Sequence, residues 1–444
     1  MSLVKKKALN KIISLVLAMV LMLVVPAGCG KEKNGGSDSG NQNSQGDQKE
    51  PEEGSTGENK ENGNKENDDK VEVLLKSMTL EEKVGQVFIM SLRYLPDTKA
   101  ALELTDSARQ RIKNNLLGGV ILFSENLQTI PQTKKLIDDM QAISKLPMFI
   151  AIDEEGGATS RMGGNSGLHS TKLPSNWDIG STGDPELARQ AGRVIAEEVS
   201  SLGFNMDFAP IADVNTNPKN PVIGKRSFGA DPELVAKMVE AEVKGIQEQN
   251  VTAVLKHFPG HGDTSTDTHT GAVIIKHNRD RLDKVEFPPF QRGIDAGADG
   301  IMTAHIQVPQ VTKNDLPATL SKEVLTEILR NEMKFKGLII TDALEMAAIS
   351  KYYTPDAAAV KAFEAGADIL LMPESIEKAY GGLLEAVKSG RISEERLNES
   401  VKRILDVKYR RGILENNRAA LDPEKTLGSK EHQDIATEIA RGVK

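Results

Sequence analysis

Gly297-Ala298-Asp299-Gly300-Ile301-Met302-Thr303-Ala304-His305 reads as the end of one element and the whole of the next. Gly297 supplies a helix stop. The mainly apolar run that follows has the length of a strand and closes on a histidine. The pattern returns at Gly366-Ala367-Asp368, which leads into Ile369-Leu370-Leu371-Met372. Working outward, runs of the same kind occur at Val87–Leu92, Gly119–Phe123, Met148–Asp153, Phe204–Ala209, Ala253–Phe258, Gly300–His305, Leu338–Asp342 and Asp368–Met372. They are continuously apolar rather than alternating, as strands buried on both faces are. Helical stretches separate most of them. Asp184-Pro185-Glu186 and Asp231-Pro232-Glu233 each place an N-cap before a proline at the first helical position. Eight strands alternating with helices predict a closed α/β fold, a (β/α)8 TIM-type barrel over residues 71–415. An open doubly wound sheet is the alternative, and the absence of a Gly-rich phosphate loop after the first strand counts against it.

The segments before and after differ in texture. Lys5, Lys6, Lys7 and Lys11 form a basic start, and Ile12 to Val25 is an apolar run of about 14 residues. That is shorter than the roughly 20 residues a membrane-spanning helix needs. Val25-Pro26-Ala27-Gly28-Cys29 resembles a bacterial lipobox, so residues 1–28 are expected to be a lipoprotein signal peptide with Cys29 as the lipidated residue. A plain secretory signal is the rival reading. Residues 29–70 hold Gly, Asn, Ser, Glu, Asp and Lys and almost nothing apolar, so they are expected to be a disordered, lipid-anchored tether. Residues 416–444 are a polar extension, either the tail of a single-domain form or a remnant of a second domain. Together these features predict an extracytoplasmic protein held at the cell membrane. The chain has one cysteine, so no internal disulfide forms, and a net charge of −8 without a basic stripe argues against nucleic acid as a partner.

Polar residues gather at the C-terminal ends of the predicted strands, where a barrel builds its site. The third run ends in Asp153-Glu154-Glu155-Gly156-Gly157, and the fourth carries Asp207 and leads to Asp213. The fifth ends in Lys256-His257, the sixth in His305 and the seventh in Thr341-Asp342. One strand-end aspartate is commonly an N-cap for the next helix. Five such strand ends together require a ligand to justify their burial. The densest stretch is Lys256-His257-Phe258-Pro259-Gly260-His261-Gly262-Asp263-Thr264-Ser265-Thr266-Asp267-Thr268-His269, with three of the seven histidines. His257 and His261 stand four apart, but Pro259, Gly260 and Gly262 forbid a continuous helix that would align them for a metal. No metal and no cofactor are expected. Asp267 and His269 are two apart, so in an extended loop they point to one side and could form a proton-transfer dyad.

The stretch Lys256–His269 resembles the signature of bacterial β-N-acetylglucosaminidases of glycoside hydrolase family 3. Four more segments resemble that family in order: Met78–Gln86, Ala151–Gly157, Asn220–Gly229 and Ile339–Leu344. The resemblance implies a retaining exo-β-N-acetylglucosaminidase acting on a glycan with terminal N-acetylglucosamine, derived from peptidoglycan or a related polymer. It implies Asp342 as nucleophile, His269 as general acid/base and Asp267 as its partner. It implies that Asp153, Arg161, Arg226, Lys256 and His257 bind the terminal sugar. Ala158 and Thr159 replace the Arg-Val pair that usually follows the third-strand motif, while Arg161 is kept. A phosphorylase on the same scaffold is the alternative activity, and a non-catalytic sugar-binding lipoprotein the alternative without one.

Overall fold

The computed structural model describes residues 68–93, 99–164, 167–265, 271, 273–418 and 420–443. Cys29 and nearly all of the segment read as signal and tether lie outside the described residues. A helix at 68–77 begins three residues before the expected barrel boundary at 71.

Eight parallel strands follow the eight apolar runs: β1 (Phe88–Ser91), β2 (Gly119–Ile121), β3 (Phe149–Ile152), β4 (Met206–Asp207), β5 (Thr252–Phe258), β6 (Gly300–Thr303), β7 (Leu338–Ile340) and β8 (Leu370–Leu371). Their order in the sheet is β8-β1-β2-β3-β4-β5-β6-β7. The ring is completed between its two ends by a parallel bridge from Ile340 to Ile369, with Thr341 N donating to Ile369 O at 3.0 Å. This is the (β/α)8 barrel that the alternation of runs predicts. Each strand is buried on both faces, with Ile89, Val120, Ile150, Met206, Leu255, Ile301, Ile339 and Leu370 all inaccessible to solvent.

The helices between strands start where the sequence provides donors' partners. Asp184 and Asp231 each accept from the backbone N–H two residues on, at the heads of Pro185–Leu202 and Pro232–Glu248. Thr79 and Glu82 form a capping box on Leu80–Gln86.

The two Gly-Ala-Asp junctions serve a second purpose. Asp299 and Asp368 sit fully buried at the entry to β6 and β8. Arg410 and Arg411 approach Asp299 at 3.0 and 2.5 Å. Arg330 and Arg403 approach Asp368 at 2.6 and 3.1 Å, and Ser400 donates to it at 2.6 Å. Helix Glu394–Arg410 is thereby fastened across the N-terminal end of the barrel. Burial pushes the Asp368 carboxyl up, but the surrounding guanidiniums outweigh it and hold it below its ordinary value.

Beyond Asn416 the chain folds back on the barrel. Helix Lys430–Gly442 packs against Pro185–Leu202 and Asn176–Thr182. Its anchor is His432, whose Nε2 lies 2.8 Å from Glu197 and whose Nδ1 lies 3.0 Å from Glu198. Burial works against the charged ring, yet the two carboxylates dominate and push its pKa up to about 9. That exceeds the unfolded value near 6.5, so the proton held by the folded state stabilises it fully below about pH 6.5. The contribution disappears as pH climbs through about 9. His432→Gln should therefore lower the urea midpoint at pH 6.5 and converge toward wild type near pH 10. Parallel stability curves for the two proteins across that range would contradict the assignment.

Candidate active site

A cavity of about 690 Å³ opens at the C-terminal ends of the strands. Asp153, Arg161, Arg226, Lys256, His257 and Asp342 all line it, so one cleft gathers six of the eight residues expected there. Asp267 and His269 lie outside the described residues.

Three consecutive acids after β3 take three different environments. Asp153 faces the cleft and accepts from Lys256 Nζ at 2.6 Å and from Arg161 at 3.3 Å. Glu154 turns inward and accepts from the backbone N–H groups of Arg161 (2.8 Å) and Met162 (3.0 Å). Burial raises its pKa to about 7. Glu155 joins two cations, with Lys256 Nζ at 2.7 Å and the Arg226 fork at 2.8 Å on both oxygens. Burial alone would protonate Glu155, but Arg226 and Lys256 overcome it and hold the carboxyl far below its usual range. Burial likewise opposes charge on Lys256, and Asp153 and Glu155 reverse that, so its pKa rises. Lys256 is only 2% exposed. Its charge is affordable there because two carboxylates flank it.

A second network fixes the histidines. Asp213 is fully buried, and its Oδ2 sits 2.7 Å from His257 Nδ1. The contact orients the imidazole and leaves Nε2 toward the cleft. Oδ1 of the same carboxylate accepts from the backbone N–H of His261 at 2.5 Å. Burial raises Asp213, but its interactions with His257 and His261 prevail and lower it. The turn that brings this about requires glycine twice. Gly260 has φ +123°, and a Cβ on Gly262 would lie 1.8 Å from the carbonyl oxygen of Val214.

Asp342 follows β7 directly. Its backbone N–H donates to Thr303 O at 3.2 Å, and its Oδ1 accepts from Ala343 N at 2.7 Å. Its side chain is half-buried and reaches the cavity. His305 faces away from this role. Its ring bridges Thr319 Oγ1 and Ala343 O, both at 2.9 Å, and so braces the segment that carries Asp342. The segment 261–264 is tied down on both sides. Asn217 and Asn220 donate to Thr264 O and His261 O, while His277 Nε2 lies 2.5 Å from Asp263.

Sequence reasoning missed three residues here. Glu155 and Asp213 were visible as strand-end acids, but their bridging roles depend on distant partners, for Glu155 on Arg226 71 positions on and on Lys256 beyond it. His261 stands in no helix with His257, yet the glycine turn brings the two rings edge to face at 5.9 Å. Among the described residues no group of three or more His, Cys, Asp or Glu side chains is arranged to hold a metal ion.

Five cations (Arg93, Arg161, Arg226, Lys256 and Lys351) and four carboxylates (Asp153, Glu155, Asp342 and Glu345) line the cleft. The cleft offers fixed donors and acceptors, and the half-buried carboxylate of Asp342 reaches it. Comparisons agree in kind. The family model described as glycosyl hydrolase family 3 N terminal domain matches residues 79–407. Beta-hexosaminidase A of Pseudoalteromonas piscicida is 35% identical over 400 residues, covering 82% of this chain and 66% of that protein. Beta-hexosaminidase of Nitrosomonas eutropha is 35% identical over 314 residues, 68% of this chain and 88% of that one. The solved glycoside hydrolase family 3 beta-N-acetylglucosaminidase from Paenibacillus sp. superposes with a TM-score of 0.77 at 42% identity, over 83% of this chain and 69% of that chain. The chain thus spans just under two thirds of the Pseudoalteromonas protein's length.

Glu155 is the joint of the cleft. Glu155→Gln should cost about 3–5 kcal/mol in urea denaturation, because Lys256 and Arg226 are left buried with one carboxylate fewer. A loss below about 0.5 kcal/mol would show that the cations do not depend on it.

Proposed function

Because the chain belongs to glycosyl hydrolase family 3, we propose that it is a retaining exo-β-N-acetylglucosaminidase that removes terminal N-acetylhexosamine from peptidoglycan-derived or related glycans. The observation that carries this reading is the convergence of Asp153, Arg161, Arg226, Lys256, His257 and Asp342 on one cleft. The names of the relatives support the sugar class.

The terminal sugar enters the cleft with its hydroxyls toward Asp153, which accepts, and toward Lys256, Arg161 and Arg226, which donate. Asp342 attacks the anomeric carbon while the leaving oxygen takes a proton from His269. A water molecule, deprotonated by the same imidazole, then displaces the carboxylate and frees the sugar. Asp267 orients the ring of His269 and stabilises its protonated form. The hydrogen bond from Ala343 N to Asp342 Oδ1, at 2.7 Å, holds the nucleophile in place. No cofactor is needed, since side chains fill both roles.

The expected test is release of 4-nitrophenol from its N-acetyl-β-glucosaminide. Asp342→Ala should lose at least about a thousandfold in kcat. His269→Ala should be partly spared, because nitrophenolate leaves with little protonation. Turnover that appears only with added phosphate, with a sugar 1-phosphate as product, would make the protein a phosphorylase instead. Silence under both conditions from folded protein would overturn the enzymatic reading in favour of a sugar-binding lipoprotein.

The amino-terminal sequence supports an extracytoplasmic site of action on a lipid anchor at Cys29. Cys29→Ala should abolish labelling by a palmitate probe and move the protein from the membrane fraction to a soluble one. Labelling that survives the substitution would exclude that anchor.

A further inference from the structure

His261 has no role in the scheme above, yet it lines the same cleft as His257 and Asp342. It is 2% exposed and held from three sides. Its backbone N–H donates to Asp213 Oδ1 at 2.5 Å, and its ring stands edge-on to His257 at 71°. Its Nδ1 lies 2.8 Å from the hydroxyl of Thr264, which Asn220 Nδ2 reaches at 3.3 Å. The remaining ring nitrogen, Nε2, is buried and has no hydrogen-bond partner among the described residues. A buried ring nitrogen without a partner costs free energy, and each such group in a native fold calls for an explanation. Turning the ring to find a partner would break its contact with Thr264.

We propose that His261 Nε2 holds one hydroxyl of the terminal sugar, which makes His261 a specificity-determining residue of the cleft. The assignment rests on the reading that the cleft takes a terminal N-acetylhexosamine. Its chemistry follows from the single proton on Thr264 Oγ1. That proton points either to His261 O, at 3.1 Å, or to Nδ1, at 2.8 Å. In the first case Nδ1–H donates to Thr264 and Nε2 accepts. In the second Nε2–H donates. A sugar hydroxyl is both donor and acceptor, so it satisfies Nε2 in either arrangement. A C–H bond at that carbon satisfies neither. Burial, with the neighbouring His257, keeps the ring below its usual pKa, so it binds as a neutral imidazole and sets no fixed charge near Asp342.

The test is calorimetric binding of N-acetylglucosamine and its 3-, 4- and 6-deoxy analogues to the full chain and to His261→Ala. Wild type should bind one of the three analogues about tenfold more weakly than the parent sugar, the size expected for one hydrogen bond lost inside a cleft. His261→Ala should bind the parent about tenfold more weakly and lose discrimination against that one analogue, while its affinities for the other two relative to the parent stay as in wild type. Equal weakening of all four sugars, or no weakening, would overturn the assignment. His261→Gln, which keeps a donor and an acceptor, should recover part of the affinity, and it serves in place of His261→Ala if the alanine variant does not fold. A wild type that binds none of the four sugars overturns it too. A wild type that binds them with this pattern but releases no nitrophenol leaves His261 in place and removes only the hydrolase reading.

Discussion

Eight parallel strands make a barrel only if the eighth reaches the seventh, and here that seam turns on Asp368. Its N–H donates to Ile339 O at 2.7 Å, and its Oδ2 accepts from Ile339 N at 3.0 Å. Asp368 thus joins the seam with both its backbone and its side chain, beside the bridge between Ile340 and Ile369. A carboxylate this deeply buried would be costly unless paired. Arg330 and Arg403 pair it, and Arg396 stands 3.8 Å away. Arg396 and Arg403 belong to helix Glu394–Arg410, and so does Arg410, which reaches Asp299 at the entry of β6. A single helix therefore secures two strand entries from below. With stability concentrated at the N-terminal end, the opposite end can carry charged side chains whose purpose is not packing.

The same separation explains which parts of the molecule the sequence discloses. Burial on both faces writes each strand as an unbroken apolar run, so all eight could be read directly from Val87 to Met372. Their C-terminal ends could be read for the opposite reason, because polar residues interrupt those runs where a soluble core would not. What could not be read is pairing across long separations. Asp153, Glu154 and Glu155 look alike in the chain. In the fold, one faces the cleft, one is raised to about 7 by burial, and one is held ionised by two cations. The difference comes from Lys256 and Arg226, and no local pattern points to either. The Gly-Ala-Asp junctions were legible as helix stops, but of their arginine partners Arg403 and Arg410 lie 35 and 111 positions on and Arg330 lies 38 positions back.

His261 shows a subtler limit. Spacing of four suggests a shared helical face, and glycine and proline rule that face out. Both statements hold, and the rings meet all the same, because Gly260 and Gly262 fold the chain back onto Val214 and Asp213. A turn can juxtapose what a helix cannot. Its signature is the pair of glycines, one at positive φ and one with no room for a side chain, rather than any periodicity.

The charges in the cleft constrain its chemistry further. Arg93, Arg161, Arg226, Lys256 and Lys351 stand against Asp153, Glu155, Asp342 and Glu345, five cations to four carboxylates, so the pocket presents many directed hydrogen-bonding groups of both signs. An uncharged sugar is suited to such a pocket, since it gains directed hydrogen bonds without bringing a counter-ion. A nucleophilic carboxylate in that setting must stay ionised. A second acid at hydrogen-bonding distance from the same substrate would raise its pKa by like-charge repulsion. An imidazole in the acid role, as proposed for His269, is neutral or cationic and creates no such repulsion. The neutral ring of His261 obeys the same rule, since burial lowers its pKa. In the proposed mechanism, the residues around Asp342 can therefore bind substrate and move protons without setting a second negative charge beside the nucleophile.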